Sequence, residues 1–556
     1  MKRVLSVFSL VLLYATLMSC TNNNPVQTQT PSEDVKEYLV EKEDYIDISQ
    51  SYDGKELYYN NEMWYMNKLN QVPLPDPHVF VEDGYYYIIG TSDRNINVVD
   101  CYVTTDFNTF EEHLEIFNPT KYSGWESKNP EVYAPEMYYF DGLYYLYYSA
   151  NDKEDIRRNS VVVSDNPLGP FKPIVNDEVD GLSNPLFYNE NYPNRCLDAT
   201  VFVDDDGKSY IYYVVTGEVQ HIVGMKLISP YKADWSTYKE LVKPGCIDSN
   251  SDEVVLEWEV YRKNKIQIAE APFMIKSNGK YYMTYSANGC WNKYYNVCYA
   301  VSDSPLGNFV KPYEEGKLWT NLLLGFPGTD DKSSLVYKQW SGFASGTGHH
   351  CFFNVGDQIM VGYHAHQNRD WNDEKFTPRY FAIDYLYFDD SGVPFVNGPS
   401  WSVMPLPFDI SGYKNIVTGS SIKSDNVINV NAINDNYIVD AYNLDSKDKE
   451  VILNEGVSTI EINFDKEYSI YGIAVFNSAY YENLVIEIEY LDFGNGNIIY
   501  YPQYCLDFYV DDDLSFIYPV SAINVEILNP FKASSVKIGF VLPEGGSINE
   551  VVILGK

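Results

Sequence analysis

Basic residues, paired cysteines and long apolar runs are all scarce in this 556-residue chain, and each shortage excludes a class of function. Lys and Arg number 40 against 78 Asp and Glu, a formal net charge of −38 at pH 7. Phosphate binding needs a basic patch, so nucleic acid and anionic membrane surfaces are excluded as partners and a neutral ligand is the natural inference. The cysteines include no Cys-x-x-Cys pair, and those beyond Cys20 stand singly and in odd number. That pattern indicates neither a zinc site nor a disulfide scaffold, and most of these thiols are expected to pack as small hydrophobes. The apolar run from Val4 to Met18 is too short to span a bilayer comfortably.

What the chain has instead is one phrase repeated five times. The copies are Asp76-Pro-His-Val-Phe-Val-Glu-Asp-Gly-Tyr, Ala134-Pro-Glu-Met-Tyr-Tyr-Phe-Asp-Gly-Leu, Asp198-Ala-Thr-Val-Phe-Val-Asp-Asp-Asp-Gly, Glu270-Ala-Pro-Phe-Met-Ile-Lys-Ser-Asn-Gly and His349-His-Cys-Phe-Phe-Asn-Val-Gly-Asp. Each reads as a β-hairpin. An Asp-Gly or Asn-Gly pair supplies the left-handed turn, and the flanking β-branched and aromatic residues suit a half-buried pleated surface. A third strand recurs after each copy, as in Val161-Val-Val-Ser-Asp-Asn-Pro-Leu-Gly and Tyr299-Ala-Val-Ser-Asp-Ser-Pro-Leu-Gly. Spacings of about 58 to 79 residues are too long for a helical solenoid and fit four-stranded propeller blades, so an all-β, five-bladed β-propeller is predicted. Most of the 52 tyrosines are assigned to sheet packing.

The length requires more than one core. Lys2 and Arg3, the apolar run and Leu17-Met18-Ser19-Cys20 resemble a bacterial lipoprotein signal over residues 1–20, with Cys20 as the lipidated residue. The expectation is an exported bacterial lipoprotein at the outer membrane, facing periplasm or cell surface, touching the membrane only through its anchor. Residues 21–45 read as a polar tether and 46–408 as the propeller. Residues 409–556 carry alternating strands such as Leu484-Val-Ile-Glu-Ile-Glu-Tyr without further copies of the repeat. This predicts a separate, jelly-roll-like β-sandwich, which resembles the discoidin or coagulation-factor type. With a core of its own, the sandwich is expected to be dispensable for hydrolysis of a small glycoside.

The first strands of propeller blades surround the central axis, so residues at their heads must converge. Those heads are Asp76, Tyr133-Ala134, Asp198, Glu270 and His349. Carboxylates brought together in a partly dry pocket cannot all stay ionised, and one cluster thereby yields both a proton donor and an acceptor. In order and spacing, Pro75-Asp76-Pro77, Leu197-Asp198-Ala199, Glu270-Ala-Pro-Phe, Gly346-Thr-Gly-His349, Tyr363-His364 and Pro378-Arg379-Tyr resemble the five-bladed propeller of glycoside hydrolase family 43, over about Pro73 to Pro394. The resemblance implies Asp76 as general base, Glu270 as general acid and Asp198 as the residue that tunes the acid's pKa and orients it. It also implies Tyr133 and Arg379 along the sugar pocket, which His78, next after Asp76-Pro77, is expected to border as a further substrate-binding residue. Ala199, Ala271 and Tyr133 stand where the family commonly has proline, glycine and tryptophan.

The mechanism so implied is inverting hydrolysis without an organic cofactor. The substrate would be an arabinose- or xylose-containing plant glycan, cleaved as an α-L-arabinofuranosidase or β-D-xylosidase. Arabinan- or galactan-cleaving activity and a non-catalytic, surface glycan-binding lipoprotein are the alternatives. His349 is the candidate ligand, direct or through water, of a structural calcium on the propeller axis. His364 and His366 share a strand face and read as packing or pocket lining. An insertion over residues 249–265, with Glu253, Glu257, Trp258 and Glu259, is expected at the pocket rim.

Overall fold

Tight turns set the architecture. In the first, second and fourth repeats both turn residues, Asp83-Gly84, Asp141-Gly142 and Asn278-Gly279, have φ between +48° and +89°, the mirror-image turn whose twist matches paired strands. The computed structural model describes residues 59–67, 71–193, 195–260, 267–291, 294–325, 344–367, 378–400, 403–438, 450–477, 488–502, 522–542 and 545–556. The predicted leader, Cys20 and the tether lie outside these residues.

Each repeat builds a four-stranded antiparallel blade. Blade one holds His78–Glu82, Tyr85–Thr91, Val99–Thr104 and Glu111–Phe117, and blade two Tyr133–Phe140, Leu143–Asn151, Arg157–Ser164 and Lys172–Pro173. Blade three comprises Cys196–Val203, Ser209–Val215, Val219–Ser229 and Lys232–Val242, and blade four Gln267–Ser277, Lys280–Ala287, Asn296–Ser302 and Leu322–Gly325. A short parallel contact, Val219 opposite Gln267, joins these two. Blade five is Ala344–Val355, Gln358–Gln367, Arg379–Phe388 and Pro394–Val396. Each innermost strand touches those of both flanking blades, and the fifth touches the first. The protein is therefore a closed five-bladed propeller, and the echoed third strands fall where the repeats place them. Five of the six described cysteines are buried free thiols.

A clasp secures the seam between blades five and one. Trp64–Tyr65 pairs with Met404–Pro405. Asn67 donates to the Ile383 carbonyl at 2.8 Å and accepts the Ile383 N–H at 2.9 Å.

The C-terminal part is a β-sandwich made by two long bent strands, Gly456–Asn477 and Ala522–Leu542. Their pairing breaks between Asn463 and Tyr468. On one side of the break Gly456–Asn463 pairs with Ser421–Asp425, and Ser535–Leu542 with Ile488–Asp492. Beyond it, the strand that continues to Asn477 pairs with Gly546–Gly555. The facing layers enclose Ile460, Ile473, Val475, Ile538, Phe540, Val551 and Ile553.

The sandwich is not the separate body that its sequence pattern predicts. Its outer residues Ala474, Phe476, Ala522, Val552 and Leu554 belong to one buried apolar cluster with Trp64, Val403 and Leu406 of the clasp and with blade-five residues such as Tyr363 and Leu386. Polar contacts seal the junction. The Asn60 N–H donates to Glu526 at 2.9 Å, Asn397 donates to the Asn436 carbonyl at 2.7 Å, and the Tyr437 ring lies 4.7 Å from that of Phe395. Alternation along each strand announces one buried face, whereas burial of the second face depends on a partner far away in sequence.

Candidate active site

The mouth of the propeller is organised by one backbone device repeated five times. Asp76, Ala134, Asp198, Ala271 and His349 all have φ between +44° and +56°. In blades two to five this residue and the next are skipped in the pairing with the second strand, between Tyr133 and Glu136, Leu197 and Thr200, Glu270 and Phe273, and Gly348 and Cys351. These are β-bulges, whose extra residue re-aims the strand head. Proline follows at positions 77, 135 and 272 because a bulge frees the amide that proline lacks.

Each bulge N–H is then caught by the preceding blade. Ala134 donates to Thr91 Oγ1 at 3.0 Å, Asp198 to Ser149 Oγ at 3.0 Å, His349 to Ser286 Oγ at 2.8 Å and Asp76 to His364 Nδ1 at 3.1 Å. Blade three breaks the series, since Val214 stands opposite Leu197 where Ser149 stands opposite Tyr133. Valine cannot accept, and the Asp198 carboxylate takes its place, receiving the Ala271 N–H at 3.0 Å. An orphaned buried amide would otherwise cost about 1–3 kcal/mol.

The device also corrects the sequence alignment of the heads. Glu270 is not equivalent to Asp76 and Asp198; it stands one residue earlier, in register with Tyr133, Leu197 and Gly348, while Ala271 occupies the bulge. The left-handed φ of +49° at Ala271 accounts for glycine being the common residue there.

Asp76 is buried and heavily held. Arg379 donates to Oδ1 at 2.9 Å, Thr91 to Oδ2 at 2.6 Å, and His349 Nδ1 lies 3.2 Å from Oδ1. Burial alone pushes this carboxyl up, but Arg379, His349 and the Thr91 hydroxyl outweigh it and leave the pKa below the ordinary value. Glu270 and Asp198 move the other way. Burial raises Glu270, with the Asp76 charge adding to it against the Tyr295 phenol and the cations Arg379 and Arg157. Burial likewise raises Asp198, with Glu270 and Asp76 reinforcing it against His349 and the Ala271 N–H. Three carboxyls in one field thus divide into one kept ionised and a coupled pair that holds a proton above the usual carboxylate range.

The remaining predicted residues separate. Tyr133 is at the rim, with the Arg157 guanidinium 4.0 Å from its ring centre. Arg379 is spent on Asp76. His78 lies beneath the pocket: its Nδ1 accepts the Met137 N–H at 3.4 Å, its ring packs 5.2 Å from Tyr138, and burial lowers its pKa to about 3. It is a neutral axial packing residue, because the bulge consumes Asp76 and Pro77 and drops the next side chain one layer down. His349 places Nδ1 against Asp76, and among the described residues no three His, Cys, Asp or Glu side chains group as a metal would require. His366 Nε2 donates to the Cys290 carbonyl oxygen at 2.8 Å.

Sequence reasoning missed Thr91, Ser149, Ser286 and Tyr295, and gave His364 only a lining role. Four of these positions lie opposite the strand heads, so a polar residue at that register was the available signal. Gly348 belongs to the same group, since a Cβ there would collide with the Tyr295 ring. In the insertion, Glu259 is fully buried and receives Tyr285 and Asn321 at 2.7 Å each, together with the Lys311 ammonium. It anchors this loop to blade four, while Glu253 and Glu257 face solvent.

The family model for glycosyl hydrolases family 43 matches residues 65–394. The xylosidase/arabinosidase 43A of Humicola insolens is 31% identical over 250 residues, 38% of this chain and 71% of that protein. A β-D-galactofuranosidase of Aspergillus niger is 25% identical over 332 residues, 57% of this chain and 80% of its own length. A xylosidase/arabinosidase of Bacteroides ovatus is 27% identical over 268 residues, 43% and 76% of the two chains. The solved structure of a thermostable family-43 glycoside hydrolase aligns over 62% of this chain and 99% of that one, at 28% identity and a TM-score of 0.49. With five blades, their bulged carboxylates and a family match across the whole propeller, the chain belongs to glycosyl hydrolases family 43.

Proposed function

We propose that this glycoside hydrolase cleaves α-L-arabinofuranosides or β-D-xylosides of plant cell-wall glycans with inversion. The observation that carries the chemistry is the division of the carboxyl cluster. Glu270, held protonated, gives its proton to the leaving glycosidic oxygen while ionised Asp76 takes one from a water attacking the opposite face. A carboxylate has roughly four lone-pair sites. Arg379 and Thr91 hydrogen-bond to Asp76 and His349 Nδ1 lies 3.2 Å from Oδ1, so the carboxylate keeps acceptor capacity for that water. Asp198 fixes the backbone behind Glu270 through the Ala271 N–H and adds the negative charge that helps keep Glu270 protonated. The sugar assignment is supported by the relatives named xylosidase/arabinosidase. Hydrolysis of nitrophenyl arabinofuranoside, xyloside and galactoside beside arabinan, galactan and xylan tests it. Release from galactan alone, or no release from any, sinks the proposal in favour of a galactan-cleaving enzyme or a glycan-binding protein.

The pH profile follows from the same charges. The acidic limb of kcat/KM lies below the ordinary carboxylate range, where Asp76 gains a proton, and the alkaline limb above it, where Glu270 loses one. Asp198→Asn keeps an oxygen for the Ala271 N–H but removes a negative neighbour, so the alkaline limb is expected to move to lower pH. An unmoved limb in the kcat/KM profile would show that Asp198 does not set the acid's pKa.

Export as a lipoprotein completes the reading, supported by Lys2, Arg3, the apolar run and Cys20. Cys20→Ala is expected to release the protein from the membrane fraction and abolish labelling by radioactive palmitate. Palmitate labelling that survives the substitution refutes Cys20 as the anchor.

A further inference from the structure

Blade two carries a polar group at the pocket rim that the three carboxylates do not use. Tyr133 occupies there the register position that Glu270 occupies in blade four, one residue before the bulge. Arg157, the first residue of the third strand, lies over the Tyr133 ring. One guanidinium nitrogen is 3.5 Å from Glu131. That Glu131 oxygen accepts from the Tyr133 hydroxyl at 3.2 Å and from Asn151 at 3.1 Å, and Asn151 also donates to Asp155 at 3.1 Å. Ring, cation and carboxylate are therefore fixed before any ligand arrives.

Two observations point from this group to a ligand. The Arg157 Nε is buried and has no hydrogen-bond partner, although the side chain retains 28% of its exposure. A guanidinium has five donors, and a protein does not ordinarily leave one buried and unsatisfied. The group also lies within electrostatic reach of the reacting carboxyls, Arg157 of Glu270 and the Tyr133 phenol of Asp76. A donor-rich edge within reach of the acid is suited to hold the departing part of the substrate.

We infer that Tyr133, Arg157 and Glu131 form the leaving-group subsite, in which Arg157 donates to vicinal hydroxyls of a neutral sugar and Glu131 accepts from one of them. The inference rests on Glu270 being the general acid. The sugar is neutral because Glu131 and Asp155 outnumber the single Arg157 charge in the group, and a uronate would meet them at close range. Tyr133 serves as the flat support that keeps the guanidinium plane in place.

The test compares two leaving groups on one glycon, using the full-length protein. Arg157→Met keeps the length and covers Tyr133 but removes every donor. Lost hydrogen bonds to a neutral sugar cost about 1 kcal/mol each. The variant should therefore lose roughly 5- to 30-fold in kcat/KM on an oligosaccharide, mainly through KM, and much less on the aryl glycoside. The alkaline limb of its oligosaccharide profile should move up, opposite to Asp198→Asn, because a cation near Glu270 is gone. Arg157→Lys should recover part of the oligosaccharide activity. Equal losses on both substrates with an unmoved limb, or no loss on either, overturn the subsite. Preference of the native enzyme for a uronate in the leaving position overturns its neutral character. If Glu270→Ala leaves the alkaline limb in place, the assignment of the acid has failed instead, and the KM difference between leaving groups still reads the subsite on its own.

Discussion

Glu270→Ala is expected to reduce kcat/KM on an oligosaccharide by roughly 10²- to 10⁴-fold, the contribution usual for a positioned general acid. An aryl glycoside with an acidic phenol should retain much of its rate, since its departure needs little protonation. Asp76→Ala should lose both substrates, because water must still be activated whatever leaves. Its loss should also be compounded by structure: Arg379 and His349 would face each other in a buried site without the carboxylate that both now contact. Equal losses on the two substrates for Glu270→Ala, or a first product of retained anomeric configuration by NMR, would overturn the pair as an inverting acid and base.

Deletion of residues 409–556 is expected to abolish activity by unfolding the propeller seam, contrary to the independence that the sequence pattern suggests. The deletion would uncover Trp64, Val403 and Leu406, which share a buried cluster with Phe476, Ala522, Val552 and Leu554. Burial of one large apolar side chain is worth about 1.5–3 kcal/mol, so exposing several approaches the whole stability of a typical domain, about 5–15 kcal/mol. The measurement is thermal unfolding and nitrophenyl glycoside hydrolysis of residues 46–408. A truncated protein that melts and turns over like the full chain would show the shared cluster to be energetically idle.

What was legible in the sequence was local. Asp-Gly and Asn-Gly turns with alternating aromatic strands gave the hairpins, their recurrence gave the blade number, and the order of Asp76, Asp198 and Glu270 gave the carboxyl cluster. The bulge was not legible, because a slip of one residue changes no composition and leaves the motif Glu270-Ala-Pro looking like Asp198-Ala-Thr. Nor were Thr91, Ser149, Ser286 and His364. Each is an ordinary strand residue in its own blade and acquires a role only when the next blade closes on it. His78 was misplaced for the same reason, since counting from Asp76 without the bulge keeps it in the pocket.

The seam has a consequence for when the protein becomes an enzyme. The partners that fix Asp76, His364 on its amide and Arg379 on its carboxylate, lie 288 and 303 residues further along the chain. Such distant pairings are the slowest to form, because loop closure precedes any reward. A chain emerging N-terminus first can complete four blades and still hold its base unaligned. Competence is deferred to ring closure, since a chain that stops short of blade five lacks both partners of its base, and turnover itself reports that the last blade has met the first.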